Sequence, residues 1–119
     1  MAKILVVDDA AFMRAMIRTA LEARGHEVVG EAVNGEDAVE QFVRLKPDVV
    51  TMDITMREMY GVGGLQRIRA HDPKAKVILC SALSQRALVL EAMRAGASDF
   101  LVKPFQAERV VQAVEAQLA

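Results

Sequence analysis

Short apolar runs rich in β-branched residues alternate along the chain with longer segments of helical spacing. The runs, which are typical of strands, cover residues 3–7, 27–32, 48–52, 76–81 and 99–102. The segments with apolar residues at helical intervals cover residues 11–24, 35–45, 64–71, 85–95 and 107–118. Glycines and prolines stand at the proposed junctions, namely at Gly25, Gly35, Pro47, Pro73, Gly96 and Pro104. The pattern therefore predicts strands and helices in strict alternation.

Strict alternation is typical of an α/β fold, because connections long enough to carry a helix join parallel strands. We predict a doubly wound five-stranded parallel sheet with helices on both faces. The first, third and fourth runs are the most continuously apolar, so we expect them at the centre of the sheet. A length of 119 residues suits one core. We therefore expect residues 1–119 to form a single domain, with no output domain attached.

Charge and composition narrow the classes of function. Fifteen basic and sixteen acidic residues leave no surplus of positive charge for a nucleic-acid backbone, so direct binding to nucleic acid is not expected. No apolar run suits a signal peptide or approaches the roughly 18 residues that a membrane span needs. The single cysteine, Cys80, cannot form an internal disulfide, and we expect it to be a small buried hydrophobe. A cytoplasmic location is expected.

Polar residues stand where the predicted strands end. Asp8 and Asp9 follow the first strand, Asp53 follows the third, Ser81 ends the fourth and Lys103 follows the fifth. The carboxyl ends of parallel strands share one edge, and the ligand crevice of such sheets opens there. Crowded carboxylates raise one another's pKa unless a cation lies among them. A hard divalent ion, which prefers oxygen ligands, is therefore predicted at this edge.

Each of these residues also has a purely structural interpretation. Asp8 or Asp9 could cap a helix, Asp53 could begin a turn and Ser81 could begin a helix. Lys103 could be a solvated surface charge. The residues are far apart in the sequence, however, and they meet only if the predicted fold is right. Their joint arrangement therefore favours a functional site.

The sequence resembles response-regulator receiver domains, and in particular single-domain chemotaxis regulators of the CheY type. The matching segments, in the family's order and spacing, are VVDDAAFMR, MDITM, GVGGL, CSA, AGASDF and VKPF. They extend over nearly the whole chain, and as a set they are highly specific. The resemblance implies a flavodoxin-like (βα)5 fold with the strand order 2-1-3-4-5, for which the CheY fold is itself a known example. It also implies phosphorelay signalling in a two-component system, with a histidine kinase as the phosphodonor.

The resemblance assigns a role to each acidic residue. Asp53 would accept the phosphoryl group, and Asp9, Asp53 and the carbonyl of Thr55 would bind Mg²⁺. Asp8 would act on the ion through a water molecule. The reaction implied is self-catalysed phosphoryl acceptance and dephosphorylation, rather than activity as an enzyme on other substrates. Attack on phosphorus needs alignment and charge neutralisation more than it needs a base, which agrees with these assignments.

The same resemblance assigns the remaining strand-end residues. Lys103 would pair with the phosphoryl oxygens, and the Lys103-Pro104 peptide would be cis, which would aim the amine into the crevice. Ser81 would move to hydrogen-bond the new charge. Phe100 occupies the place of the family's mobile aromatic switch.

An output surface is predicted beside that aromatic residue. Arg86, Val89 and Met93 recur at helical spacing, so they share one face of the predicted fourth helix, and Leu90 is expected to serve the core. We expect the partner surface to comprise this face of the fourth helix, the fifth strand with Phe100, and the fifth helix. It would bind a downstream protein, for which the flagellar motor switch is a candidate. The chain is expected to be a monomer.

The segment after Asp53 departs from the family pattern. Arg57 stands where the family usually has a proline, and Tyr60 fills a position that is more often small and polar. Gly63 and Gly64 weaken the start of a helix by about 1 kcal/mol each relative to alanine. We therefore predict that residues 55–64 form the most mobile loop near the site.

Other residues are given structural interpretations. Met13, Met16 and Met93 are interpreted as core filler or contact surface. His26 and His71 lie in predicted connections and are expected to be solvated.

Three other functions compete with this interpretation. A flavin- or nucleotide-binding enzyme of the same fold would need a phosphate-cradling loop after the first strand, where Asp8 and Asp9 stand instead. An aspartate-nucleophile phosphatase would need additional residues for a cap and a substrate pocket. A degenerate receiver would bind a protein partner without phosphorylation. Arg57 is the argument for that alternative, and the complete acidic site is the argument against it.

Overall fold

The computed structural model describes residues 2–54, 61–82 and 86–118. The strands are β1 Lys3–Val7, β2 Glu27–Ala32, β3 Val49–Asp53, β4 Val77–Ala82 and β5 Asp99–Lys103. The helices are α1 Ala11–Glu22, α2 Gly35–Leu45, α3 Gly61–His71, α4 Arg86–Arg94 and α5 Ala107–Ala116. Every predicted element is present, and the largest difference at an element's start is in α3, which begins at Gly61 rather than at Gly64.

The strands form one parallel sheet in the order β2-β1-β3-β4-β5. This confirms the predicted fold class, the strand order and the central position of β1, β3 and β4. Strands at the centre of a parallel sheet are covered on both faces, which explains their continuous apolar runs. All five residues of β3 are buried.

Successive strand residues face opposite sides of the sheet and so supply two separate cores. Leu5, Met52 and Leu79 contribute to the core on the side of α2 and α3. Ile4 and Ile78, which precede Leu5 and Leu79 in their strands, contribute to the core on the side of α1 and α5. The site at the carboxyl ends of the strands therefore stands on a rigid, two-sided support.

Helix α2 shows how local sequence fixes an element's ends. The Asn34 side chain accepts a hydrogen bond of 2.8 Å from the Asp37 amide and so caps the first turn. The helix ends at Leu45, and the capping residue Lys46 adopts the left-handed conformation with a φ of 50°. Pro47 follows directly and cannot continue the helix.

Strand β2 contains a β-bulge. Ile4 of β1 pairs with Val28, but the next residue, Leu5, pairs with Gly30, so β2 has one extra residue. Beyond the bulge, Glu31 pairs with Val6, whose side chain faces the α1 side of the sheet. If the same residues paired regularly, with Val29 opposite Leu5, Glu31 would pair with Val7 and face the opposite side. The bulge therefore turns Glu31 toward α1.

The expectation that His26 is solvated was wrong, whereas His71 is exposed as expected. The His26 ring is buried, and its Nδ1 accepts a hydrogen bond of 3.1 Å from the Ala2 amide. Its Nε2 lies 2.9 Å from a carboxylate oxygen of Glu115 in α5. That partner is distant in the sequence, which is why the local pattern could not reveal the burial.

The predicted mobile loop at residues 55–64 is only partly described. Residues 55–60, including Arg57 and Tyr60, lie outside the described residues. Residues 61–64 belong to the start of α3, so the prediction of a loop was wrong for these four positions. In the described ranges, no helix has both the length and the apolar character required to cross a membrane.

Candidate functional site

The predicted acidic cluster is present at the carboxyl edge of the sheet. Asp8, Asp9 and Asp53 each offer a carboxylate oxygen, and these oxygens all lie within 4.8 Å of one another. Asp8 and Asp53 are buried, whereas Asp9 is exposed. They meet because β1 and β3 are parallel neighbours that end at the same edge. Thr55, the fourth predicted ligand, lies outside the described residues.

Lys103 reaches into this cluster from the end of β5. Its Nζ donates a hydrogen bond of 3.1 Å to Asp53 and one of 3.4 Å to Asp8. Burial lowers the pKa of the Lys103 ammonium group, but the nearby carboxylates of Asp53 and Asp8 outweigh burial and raise that pKa above its usual value. The amine is therefore charged. The Lys103-Pro104 peptide is cis, as the family resemblance implies.

The electrostatics of the cluster suit a bound cation. Burial raises the pKa of Asp8, and the charge of Asp53 raises it further, against a hydrogen bond of 2.8 Å from the Ala10 amide and the attraction of Lys103. Three carboxylates facing one ammonium group leave an excess of negative charge. The donors are all oxygens, which are the ligands that Mg²⁺ and Ca²⁺ prefer.

Two hydroxyl groups lie close to the acidic residues along the strands. Those of Ser81 and Thr51 are buried and have no hydrogen-bond partner among the described residues. Cys80 pairs in register with Asp53, and Ser81 is the next residue of β4. Burial raises the pKa of the Cys80 thiol to about 12, so the thiol is neutral and behaves as the expected small hydrophobe. The unpaired Ser81 hydroxyl is available to a new acceptor.

Sequence reasoning missed the residues that hold the Asp8 backbone. Arg14 donates a hydrogen bond of 2.7 Å to the Asp8 carbonyl oxygen and one of 2.9 Å to Glu31. Arg18 donates a second bond of 2.8 Å to the same Glu31 carboxylate. A signal was present, because a glycine inside a strand, here Gly30, often marks a bulge.

The predicted output surface borders a cavity of about 390 Å³ between α4 and β5. Its lining residues are Ser81, Ala82, Arg86, Val89, Leu90, Met93, Phe100 and Val102. The cavity therefore extends from the buried hydroxyl of Ser81 to the ring of Phe100, which is 39% exposed.

The structure corrects the predicted orientation of α4. Leu90 was expected to serve the core, but it is 60% exposed, whereas the partly buried Val89 packs against the core. The two residues are neighbours on the helix, so a small error in its rotation exchanges their roles. Leu90 belongs to the surface together with Met93.

A family model described as the response regulator receiver domain matches residues 4–115. The chain therefore belongs to the response-regulator receiver family, a family of signalling regulators in two-component systems. This confirms the family resemblance found in the sequence.

Individual relatives place the chain within that family. It is 56% identical over 112 residues to the chemotaxis protein CheY of Thermotoga maritima, covering 94% of this chain and 93% of that protein. It is 53% identical over 116 residues to the chemotaxis protein CheY of Bacillus subtilis, covering 98% of this chain and 97% of that protein. Among solved structures, the response regulator domain of Thermotoga maritima CheB matches with a TM-score of 0.85 and 36% identity, covering 98% and 96% of the two chains. The chain is thus a CheY-like receiver domain.

Proposed function

We propose that this receiver domain accepts a phosphoryl group on Asp53 from a histidine kinase, with Mg²⁺ as cofactor, and then changes its binding to a downstream protein. One observation carries the proposal. The buried Asp53 carboxylate lies among two other carboxylates and accepts a hydrogen bond from a charged lysine, Lys103. The family and the CheY relatives support the same class of reaction.

The described oxygen donors fit magnesium. Asp9 and Asp53 are the proposed direct ligands, Asp8 acts through water, and the carbonyl of Thr55 completes the set by family resemblance. When bound, the ion supplies positive charge next to the reacting oxygens. Calcium also prefers oxygen ligands, so the donor atoms alone do not distinguish the two ions. Magnesium is proposed because receiver domains bind Mg²⁺ at their acidic site.

The residues of the chain account for the transfer. An oxygen of Asp53 forms a bond to the donor's phosphorus, while the bond from phosphorus to the histidine nitrogen breaks and the imidazole leaves. Lys103 lies 3.1 Å from Asp53 and can follow the charge onto the phosphoryl oxygens. The reaction needs no proton removal from Asp53, because the carboxylate is the nucleophile. The step is thus self-catalysed by a signalling domain.

Phosphorylation is expected to be transmitted through Ser81 and Phe100. The Ser81 hydroxyl, which has no partner in the described part of the chain, can donate a hydrogen bond to a phosphoryl group on Asp53. A shift of Ser81 would enlarge the cavity that Phe100 also lines, so that the ring could turn inward. Such a two-state element needs a coupling of only about 1–3 kcal/mol to change partner affinity by one to two decades.

The proposed partner surface is formed by Arg86, Leu90, Met93 and Phe100, with Val89 behind it. Apolar side chains and one flanking cation are exposed there, as in protein-binding surfaces. The names of the CheY relatives suggest a chemotaxis target, and the flagellar motor switch remains the candidate. A phosphorylation-independent binding module is not favoured, because the acidic residues and Lys103 are all in place.

Incubation with Mg²⁺ and acetyl phosphate, followed by intact-mass measurement, tests the acceptor. The wild type is expected to gain the mass of one phosphoryl group, and Asp53→Asn is expected to gain none. Asp72→Asn, a change at an exposed aspartate, is the matched control and should behave as the wild type. Phosphorylation of Asp53→Asn to the wild-type extent would exclude Asp53.

Chemical-shift mapping tests the output surface. Addition of Mg²⁺ and beryllofluoride, a phosphoryl mimic, is expected to shift the signals of Ser81, Val89, Met93 and Phe100. Glu22, the last residue of α1, and Ala23, which follows it, lie away from the carboxyl edge of the sheet and serve as internal controls. An absence of response at Val89, Met93 and Phe100 would exclude this surface.

A further inference from the structure

We propose that Arg14 is a positioning residue that fixes the Asp8–Asp9 peptide so that both carboxylates can serve the cation site. The inference rests on the proposed magnesium-dependent function. Arg14 lies on α1, and its side chain is largely buried. Its Nη1 donates a hydrogen bond of 2.7 Å to the Asp8 carbonyl oxygen, and its Nε donates one of 2.9 Å to Glu31.

The carbonyl bonded by Arg14 belongs to the peptide that joins the two acidic residues. A peptide unit is planar, so fixing the direction of its C=O also fixes the N–H and the Cα of the next residue. Asp8 is further restrained by its own amide, which donates a hydrogen bond of 3.0 Å to the Ala32 carbonyl. Asp9 is exposed and has little packing to place it, so the direction of its side chain depends on this backbone.

Glu31 holds the Arg14 guanidinium in place. One Glu31 carboxylate oxygen accepts the bond from Arg14, and the other accepts a bond of 2.8 Å from Arg18. The Glu31 backbone carbonyl accepts a bond of 2.7 Å from Gln41 of α2. Glu31 can face α1 only because of the bulge in β2. The restraint on the Asp8–Asp9 peptide thus extends into the sheet and does not depend on α1 alone.

Arg18 provides a matched control. It lies one turn further along α1 and contacts the same Glu31 carboxylate, while its second hydrogen bond goes to Glu22 rather than to Asp8. If the arginines acted only through charge, removing either would strengthen the binding of a cation. If Arg14 positions the ligands, Arg14→Ala weakens binding in spite of the lost positive charge.

Calorimetric titration with Mg²⁺ tests this inference, with urea unfolding in EDTA as the measure of stability. Arg14→Ala is expected to lower Mg²⁺ affinity by about 10-fold or more, as is usual for residues that orient metal ligands. Arg18→Ala is expected to keep the wild-type affinity within about twofold, although it also loses a bond to Glu31 and some stability. Arg14→Lys, which keeps the charge and can donate one of the two bonds, is expected to fall between the wild type and Arg14→Ala.

Four outcomes would each overturn a specific claim. Unchanged or tighter Mg²⁺ binding by folded Arg14→Ala overturns the inference, and so does an equal loss in Arg18→Ala. If Arg14→Ala does not fold, Arg14→Lys decides, and wild-type affinity in that variant overturns the inference. Failure of the wild type to bind Mg²⁺ would instead overturn the proposed function, so the two failures are distinguishable.

Discussion

The two ends of β1 bury polar groups in opposite ways. At the amino end, both ring nitrogens of His26 have a partner, one being the Ala2 amide and the other the Glu115 carboxylate. At the carboxyl end, Asp8 is buried beside other carboxylates. Strands β3 and β4 contain the buried hydroxyls of Thr51 and Ser81, which have no partner among the described residues. Buried polar groups are normally paired. Complete pairing at His26 therefore marks a structural role, whereas crowding and incomplete pairing around Asp8 mark a site prepared for a ligand.

The hydrogen bonds at His26 define its protonation. The Ala2 amide donates to Nδ1, so Nδ1 carries no proton, and Nε2 must then carry the proton that is donated to Glu115. This hydrogen bond from His26 lowers the pKa of the Glu115 carboxyl group, with Arg24 adding to the effect. A single neutral tautomer therefore satisfies every partner.

The largest expected effect on stability comes from removing the paired His26 ring at the amino end of β1. His26→Ala leaves the buried Ala2 amide without its acceptor and should lower the free energy of unfolding by about 1–3 kcal/mol. The midpoint of urea unfolding measures the loss. His71→Ala changes an exposed histidine and should stay within about 0.5 kcal/mol of the wild type. Equal stability of His26→Ala and His71→Ala would show that the hydrogen bonds of His26 do not stabilise the fold.

At the carboxyl end of β1, where the carboxylates are crowded, a substitution should stabilise the protein rather than destabilise it. Asp8→Asn removes a buried charge that lies near Asp53 while keeping an acceptor for the Ala10 amide. In EDTA it is expected to raise the free energy of unfolding by about 1 kcal/mol, because a buried like charge is relieved. The advantage should shrink in millimolar Mg²⁺, which stabilises only the species that binds it. A destabilised Asp8→Asn protein in EDTA would contradict this interpretation.

A smaller gain is expected from the unpaired hydroxyl below the site. Thr51→Val exchanges a hydroxyl for a methyl group of similar size and removes a buried polar atom that has no partner in the described part of the chain. Stability should rise by about 0.5–1 kcal/mol. Thermal unfolding in EDTA measures it, and phosphorylation by acetyl phosphate should be unaffected. A loss of stability would show that the Thr51 hydroxyl has a partner such as an ordered water.

Glu31 gives the smallest effect, and it depends on pH. Burial would raise the pKa of this carboxyl group, but hydrogen bonds from Arg18 and Arg14 outweigh burial and lower it. A depressed pKa contributes stability above the unfolded-state value, and that stability is lost as the pH falls through the folded-state value. At pH 7 the free energy of unfolding of the wild type should therefore exceed that of Glu31→Gln by less than about 1 kcal/mol, since solvent screens the ion pairs of Glu31 with the two arginines. The difference should begin to shrink as the pH falls through the unfolded-state value of about 4.3 and should vanish below the lower folded-state value. A constant difference across that range would exclude the ionic origin.

The sequence was sufficient for the fold because its pattern is consistent at every level. The β-branched runs, the junction residues and the strand-end polar residues all indicated the same alternating sheet. The acidic cluster and Lys103 were predicted because parallel strands must end together. Arg14 and His26 were not predicted, since their roles depend on partners reached through the bulge and through α5. The predicted orientation of Leu90 was wrong, because two adjacent apolar residues leave the rotation of the helix about its axis ambiguous.

The extra residue in β2 has a consequence for insertions and deletions. Val29 is the residue that has no partner in β1, so its removal would leave Gly30 opposite Leu5 and Glu31 opposite Val6, and every later position would keep its face. A residue inserted after Gly30 would instead shift the register and turn Glu31 away from the arginines. Homologues that lack one residue between Val28 and Gly30 can therefore keep the contact between Glu31 and α1. A loop graft intended for this domain has to preserve the register of β2 from Gly30 onward.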